Sequence, residues 1–457
     1  MESLSAGVAS SVWWAPLGHS AVREDLPVVH HCRTDVGIKR SHNQDSFAVG
    51  MAGSKEAWRQ RGHLFVVADG MGAHAVGELA SQLAVDTIRL SYSKARNVSV
   101  EDSLRRAIVE ANKTIHDRGQ RNPEFQGMGT TATALVLGPE GARIGHVGDS
   151  RCYRIRGDTI EQLSFDHSLL WEVARRQNVL PEDVKSVPKN IIVRSLGPEA
   201  NVNADVNGPY KVRDGDRFLL CTDGLSGQVT DREIWSIVSY LDPEDACEFL
   251  IDLANYRGGI DNVTLVLVQV GDPAHPKPRR FSPFRSLRRV GLKMYGLLPP
   301  VQWLLLIGSL LCVVAAGMRF ESIPGWLYVG VPALAMLLGG LGWNQYNVYR
   351  RKKYGEKPPQ PPPPVYRSQQ CALQPNLVEK LAKNEVFLRE TAQENEWQVD
   401  WELLRQRRES AEQCLASRDL TGAFRDYCRS LSVLFAGMRQ ARNKQEVFDP
   451  HWQTDRA

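Results

Sequence analysis

The sequence predicts a layered α/β or α+β domain between residues 28 and 271, and three observations carry that expectation. Short apolar or β-branched runs alternate with longer segments whose apolar residues recur every three or four positions. The short runs repeatedly meet Asp, Gly, Ser or Asn, which puts polar side chains at strand ends. Beyond Gly271 the composition changes abruptly: residues 273–296 hold seven Lys or Arg and no acidic residue.

The stretch LFVVADGMGAH, residues 64–74, organises the rest. Five apolar or β-branched residues make a short buried strand, and Asp69-Gly70 ends it where the backbone must turn. A carboxylate is thereby delivered to a cleft. Gly70 and Gly72 remove side chains that would keep a ligand from the main chain, so a cation could take an Asp69 oxygen and the Gly70 carbonyl together. By itself an Asp-Gly after a strand is more often a turn. Further strands are expected at 46–49, 130–137, 143–147, 152–156, 217–221 and 264–270. Helices are expected at 77–93, 100–119, 168–177, 231–240 and 243–256.

Outside this domain, residues 1–27 read as an N-terminal arm without the basic-then-apolar order of a signal peptide. Residues 272–296 form a basic linker. Two apolar stretches follow, 297–318 and 325–344, near the length needed to cross a bilayer and flanked by basic clusters and Trp303, Trp326 and Trp343. They predict a two-pass membrane hairpin, with the lipid bilayer as a partner and both flanking regions in the cytoplasm. Residues 345–375 are a basic and Pro-rich linker whose EKPPQPPPP segment suits a stiff spacer. Residues 376–446 have helical spacing and predict a helical hairpin of unknown partner, followed by a tail at 447–457.

The 457 residues are 42% hydrophobic and 24% charged, with a net charge of +4 that is too small to argue for nucleic-acid binding. Eight cysteines without a C-x-x-C pair suggest reduced thiols and no zinc site.

Asp45, Asp69, Asp149, Asp223 and Asp261 come from distant parts of the domain. All but Asp45 lie where a strand meets Gly, Ser or Asn, and Asp45 precedes a strand. Carboxylates gathered in this way are what a pair of hard cations requires. The ordered set DVGIKRSHNQDS, VVADGMGAHAVGELAS, GMGTTATAL, HVGDSR, LLCTDGLS and GGIDNVTLVLV resembles the metal-dependent Ser/Thr protein phosphatases of type 2C, in their bacterial-like form. The resemblance covers residues 30 to 270. It implies an α+β fold, a β-sandwich of two antiparallel sheets flanked by helices, and that topology replaces the looser layered reading.

The resemblance also implies roles. Asp69 would bridge two Mn or Mg ions, with Asp223 and Asp261 completing one shell and the Gly70 carbonyl and Asp45 serving the other. Asp149, sharing Asp223, would match a weaker third site. Arg40 falls where the family places its phosphate-binding arginine, with Lys39 as the adjacent candidate. Asn262 would support Asp261, and Gln44 stands where many members carry a glutamate. The implied chemistry is attack of metal-activated water on phosphoserine or phosphothreonine proteins, without a phosphoenzyme. A membrane setting would oppose a membrane-associated kinase. Ala73 and Met71 also depart from the family pattern; His74 and His167 are candidate acids, although a lone histidine is more often structural. The segment between His167 and Val206 matches the family's variable flap. A second reading, resting on Gln44, is a weakly active or inactive scaffold that recruits partners at the membrane.

Overall fold

The computed structural model of the chain describes residues 27–72, 75–184, 187–188, 191–271 and 363–448, all within one compact unit. Two antiparallel sheets are stacked. The first has the order β1 (Val28–Asp35), β11 (Val263–Val270), β10 (Arg217–Cys221), β7 (Arg151–Arg156), β8 (Thr159–Gln162) and β12 (Arg367–Gln370). The second runs β2 (Asp45–Gly50), β3 (His63–Met71), β5 (Ala132–Gly138), β6 (Gly141–Val147) and β9 (Asp205–Tyr210), with the two-residue β4 (Gly129–Thr130) pairing with the end of β3. This is the sandwich that the resemblance implied.

Because successive strand residues point to opposite faces, a strand covered on both sides must be apolar throughout. In β11, Val263, Leu265 and Leu267 pack under helices, while Val266, Val268 and Val270 enter the layer between the sheets. In β3, Leu64, Val66 and Ala68 pack with α2 (Ala75–Lys94) and α3 (Val100–Arg121), and Phe65 and Val67 turn inward. Truncating a fully buried residue here, such as Leu267, costs about 2–5 kcal/mol.

Several elements carry no strong sequence signal. The helix α1 (Lys55–Arg61) is only seven residues long. The strand β1, VVHHCRTD, is mostly half-buried, and β9, DVNGPY, includes a Gly-Pro pair. The strand β12, RSQQ, is polar because it lies at a sheet edge, held by antiparallel pairing with β8 from Arg367↔Gln162 to Gln370↔Thr159. The helices α4 (Leu169–Gln177), α5 (Asp223–Ser226), α6 (Asp231–Tyr240) and α7 (Pro243–Tyr256) complete the two-sheet part.

The expected hairpin over 376–446 is corrected to three helices, α8 (Pro375–Glu394), α9 (Trp401–Ala416) and α10 (Leu420–Phe448). The first is not distinct as a separate helix in the sequence, because its buried stripe, Val378, Leu381, Leu388 and Ala392, is interrupted by a charged residue, Glu385. These helices do not stand apart. Their apolar residues continue the core of α6 and α7, with the Phe435 ring 5.8 Å from Phe249 and 5.7 Å from Tyr256. Basic residues of the tail face acidic ones: Lys380 lies 3.5 Å from Glu233, and Arg429 lies 3.5 Å from Asp242. Arg439 pairs with Glu248 at 2.7 Å and also with the buried Asp252.

The two-pass membrane topology is withdrawn. Among the described residues no helix is long and apolar enough to cross a membrane, and both apolar stretches, 297–318 and 325–344, lie outside the described residues.

Arg439 supplies the countercharge of Asp252, whose side chain is 1% exposed and whose carboxyl burial pushes up to about 6. Arg439→Ala strands that carboxyl and is expected to cost about 2 kcal/mol, less than a fully buried pair because the guanidinium is part-exposed. Denaturant unfolding of the full chain checks this; an unchanged midpoint would show that the docked tail does not depend on the pair.

Candidate metal centre

The pairing of β2 with β3 sets Asp45 directly opposite Asp69. Asp149 lies in the turn between β6 and β7, Asp223 opens α5 immediately after β10, and Asp261 precedes β11. The two sheets thus deliver these carboxylates from their strand ends to one place. Thr222 Oγ1 donates to Asp45 Oδ2 at 2.8 Å. Thr131 fixes Asp69 through the main chain: the Asp69 N–H donates to Thr131 Oγ1 and the Thr131 N–H to the Asp69 carbonyl, both at 2.9 Å.

Asn262 pins the loop that carries Arg40. Its Nδ2 donates to the carbonyls of Val36 (2.8 Å) and His42 (2.9 Å), and its Oδ1 accepts from the Gln44 N–H at 2.8 Å. Arg40 Nη2 donates to Asp261 Oδ2 at 2.8 Å, with almost half of the guanidinium side chain exposed at the cleft. Gln44 acts mainly as a strut. Its carbonyl accepts from the Gly70 N–H at 3.0 Å, and its side-chain Nε2 donates to the Gly72 carbonyl at 3.1 Å.

Gly70 is required by space. A Cβ there would stand 2.1 Å from the Gly77 carbonyl oxygen and 2.5 Å from that of Gln44, so the end of β3 could not lie this close to the start of α2 with any other residue.

The electrostatics show what the cluster lacks. Burial, reinforced by Asp223 and Asp261, pushes the Asp45 carboxyl up to about 7 despite the hydrogen bond from Thr222. Burial, with Asp223 and Asp166 adding to it, likewise pushes Asp149 up to about 7. Asp69 is raised well above the usual carboxylate range by burial and by Asp45, Asp223, Asp149 and Asp261 around it. Asp45 Oδ1, Asp149 Oδ1 and Asp223 Oδ1 are buried without a hydrogen-bond partner. Stranded acceptors of this kind are costly unless something positive meets them. A hard divalent cation fits, since such ions take carboxylate and carbonyl oxygens and keep several waters. Among the described residues no group of three His, Cys, Asp or Glu is placed to hold an ion by itself, so water and the Gly70 carbonyl would have to complete any shell.

Sequence reasoning passed over the hydroxyls of Thr222 and Thr131, which are ordinary strand-end residues until the fold sets them beside a carboxylate. His167 is enclosed: its Nδ1 accepts from the Gly148 N–H at 3.0 Å, and its Nε2 faces Asp205 Oδ2 at 3.1 Å and Arg194 at 3.0 Å. That is a structural placement. His74 lies outside the described residues.

A raised carboxyl destabilises the metal-free fold once it must ionise. For Asp45 the penalty is absent below its ordinary value of 3.8, where folded and unfolded chains are both protonated, and grows until pH passes about 7. The melting temperature of the metal-free chain is therefore expected to fall as pH rises through this window. Added Mn should restore it most at pH 7 and above. A metal-free melt that rises over the same window, or that Mn leaves unmoved, would contradict this electrostatic account.

Comparison with known proteins gives the cluster its context. The model of the protein phosphatase 2C family matches residues 38–253. Protein phosphatase PhpP of Streptococcus pneumoniae is 35% identical over 246 residues, covering 52% of this chain and 96% of that protein. The serine/threonine phosphatase stp of Listeria welshimeri is 35% identical over 52% of this chain and 94% of its own length. Among solved structures, the catalytic domain of the serine/threonine protein phosphatase PstP in complex with two manganese ions shares 31% identity, covers 54% of this chain and 99% of that one, and has a TM-score of 0.46. The chain belongs to the protein phosphatase 2C family and is a serine/threonine phosphoprotein phosphatase.

Proposed function

We propose that the chain hydrolyses phosphoserine and phosphothreonine in proteins at a centre of two divalent cations, Mn or Mg, held by Asp45, Asp69, Gly70, Asp223 and Asp261. The observation that carries this reading is the set of stranded carboxylate oxygens on Asp45, Asp149 and Asp223 around Asp69. In it Asp69, Asp223 and Asp261 would hold one ion, and Asp69, Asp45 and the Gly70 carbonyl would hold the other. Asp149, with Asp223, is the natural place for a third.

Bound there, the ions would supply an activated water and neutralise charge developing at phosphorus. The residues of the chain do the remaining work. Arg40 offers an exposed planar fork to the phosphate dianion, while its contact with Asp261 keeps it at the mouth of the site. Asn262 and Gln44 hold Arg40's loop and the Gly70 main chain in register. His167, enclosed by Gly148, Asp205 and Arg194, is not free to protonate the leaving alkoxide. A scaffold would have no chemical need for so many buried carboxylates, whose mutual repulsion it would carry without return.

Asp69→Asn and Asp223→Asn are expected to lower kcat by about 100-fold or more with the fold retained, because each removes charge from the cation clamp. Steady-state hydrolysis of an aryl phosphate by the full chain in Mn tests this; full activity in chelator, or in both variants, refutes it. Arg40→Ala should raise KM about tenfold while leaving Mn affinity unchanged. If the variant instead loses Mn and keeps its KM, the phosphate-binding role belongs elsewhere, with Lys39 next to be tested.

A further inference from the structure

The described residues between His167 and Arg194 belong to a segment tied to the carboxylate site at both ends. At one end the His167 N–H donates to the Gly148 carbonyl at 2.7 Å, one residue from Asp149. Beyond the other end Leu196 exchanges backbone hydrogen bonds of 2.8 and 3.0 Å with Thr130, whose hydroxyl donates to the Asp69 carbonyl at 2.8 Å. A bridge between Ser168 and Ile192 closes its neck. Between these anchors Val179, Leu180, Ile191 and Val193 are exposed. Its anchors adjoin Asp149 and Asp69, so a substrate of protein size has surface enough to meet this segment, and a small phosphate ester does not.

The start of the C-terminal region is laid against the base of the same segment. Tyr210 Oη donates to the Pro364 carbonyl at 2.6 Å, and the Tyr366 N–H donates to the Gln162 carbonyl at 3.0 Å. The Tyr366 ring stands 5.4 Å from Phe165, and Phe165 packs edge-on at 5.4 Å against Trp171 of α4. Next along the strand, Arg367 bridges two places: it pairs with Glu182 in this segment and, at 3.3 Å, with Asp231 at the start of α6. The strand β12 is fixed by its ladder to β8, and five residues later α8 begins.

We propose that Tyr366 and Arg367 are positioning residues for protein substrates: they hold the segment around Glu182 and Trp171 at the angle from which it receives a phosphoprotein. They touch neither the phosphate nor the carboxylates. The C-terminal helices, continuous with β12, are thereby coupled to substrate choice. This rests on the catalytic reading above.

The test compares two substrates on the full chain in Mn: phosphorylated casein and p-nitrophenyl phosphate. Arg367→Ala, Tyr366→Ala and the surface variant Glu182→Gln should each raise KM for casein, by about fivefold for the two charge variants, and leave kcat/KM for the aryl phosphate unchanged. Arg367→Lys should recover much of the loss. Amide hydrogen exchange at residues 178–184 should quicken in Arg367→Ala, a readout that needs no turnover. Glu182→Gln guards against misfolding, since its side chain is 48% exposed. Parallel losses on both substrates, or casein kinetics and exchange both unmoved, overturn the proposal. An unmodified chain inactive on the aryl phosphate would instead overturn the catalytic reading beneath it.

Discussion

Five aspartates meeting at one edge of a two-sheet core repel one another, and that repulsion is the constraint on which the site depends. Burial drives the carboxyls of Asp45, Asp69, Asp149 and Asp223 toward protonation; neighbours carrying the same charge drive them further, as Asp69 shows with four of them around it. Arg40 answers part of the charge, through Asp261. The hydroxyl of Thr222 satisfies one oxygen of Asp45 and leaves the other bare. What remains is a demand for positive charge that, among the described residues, protein groups do not meet.

The scaffold tolerates this because it is rigid on both sides of the edge. Fully apolar strands such as β3 and β11 are packed between the sheets on one face and under helices on the other, so the carboxylates that follow or precede them have little freedom to retreat. Asn262 then ties the loop of Arg40 to the turn of Asp261 using both its amide donor and its carbonyl oxygen. On the far side of the first sheet the same core runs on without a break into α8, α9 and α10. The region after the proline-rich spacer is thus packed on the catalytic part, with apolar contacts and complementary charge.

Much of this could be read from the residues. Asp69, Asp149, Asp223 and Asp261 announce themselves because apolar runs stop or start beside them, and the fold brings them together with Asp45. The sandwich itself came from resemblance, since alternating strands and helices fit other layered arrangements equally well. Residues whose meaning is purely spatial stayed hidden: a threonine such as Thr222 has no distinguishing neighbours in sequence, and RSQQ has no apolar face to mark β12 as a strand. The helical reading of 376–446 includes α8 but does not separate it as a third helix, because Glu385 sits in its buried stripe. The membrane reading treated hydropathy as topology; among the described residues no helix bears it out.

The most direct test of the central claim is to count the ions. Equilibrium dialysis of the full chain against Mn at pH 7.5 should find two ions bound per chain, and fewer in Asp69→Asn, whose loss removes the group common to both. No bound Mn, or an unchanged count in that variant, would contradict the account of a carboxylate cluster organised around divalent cations.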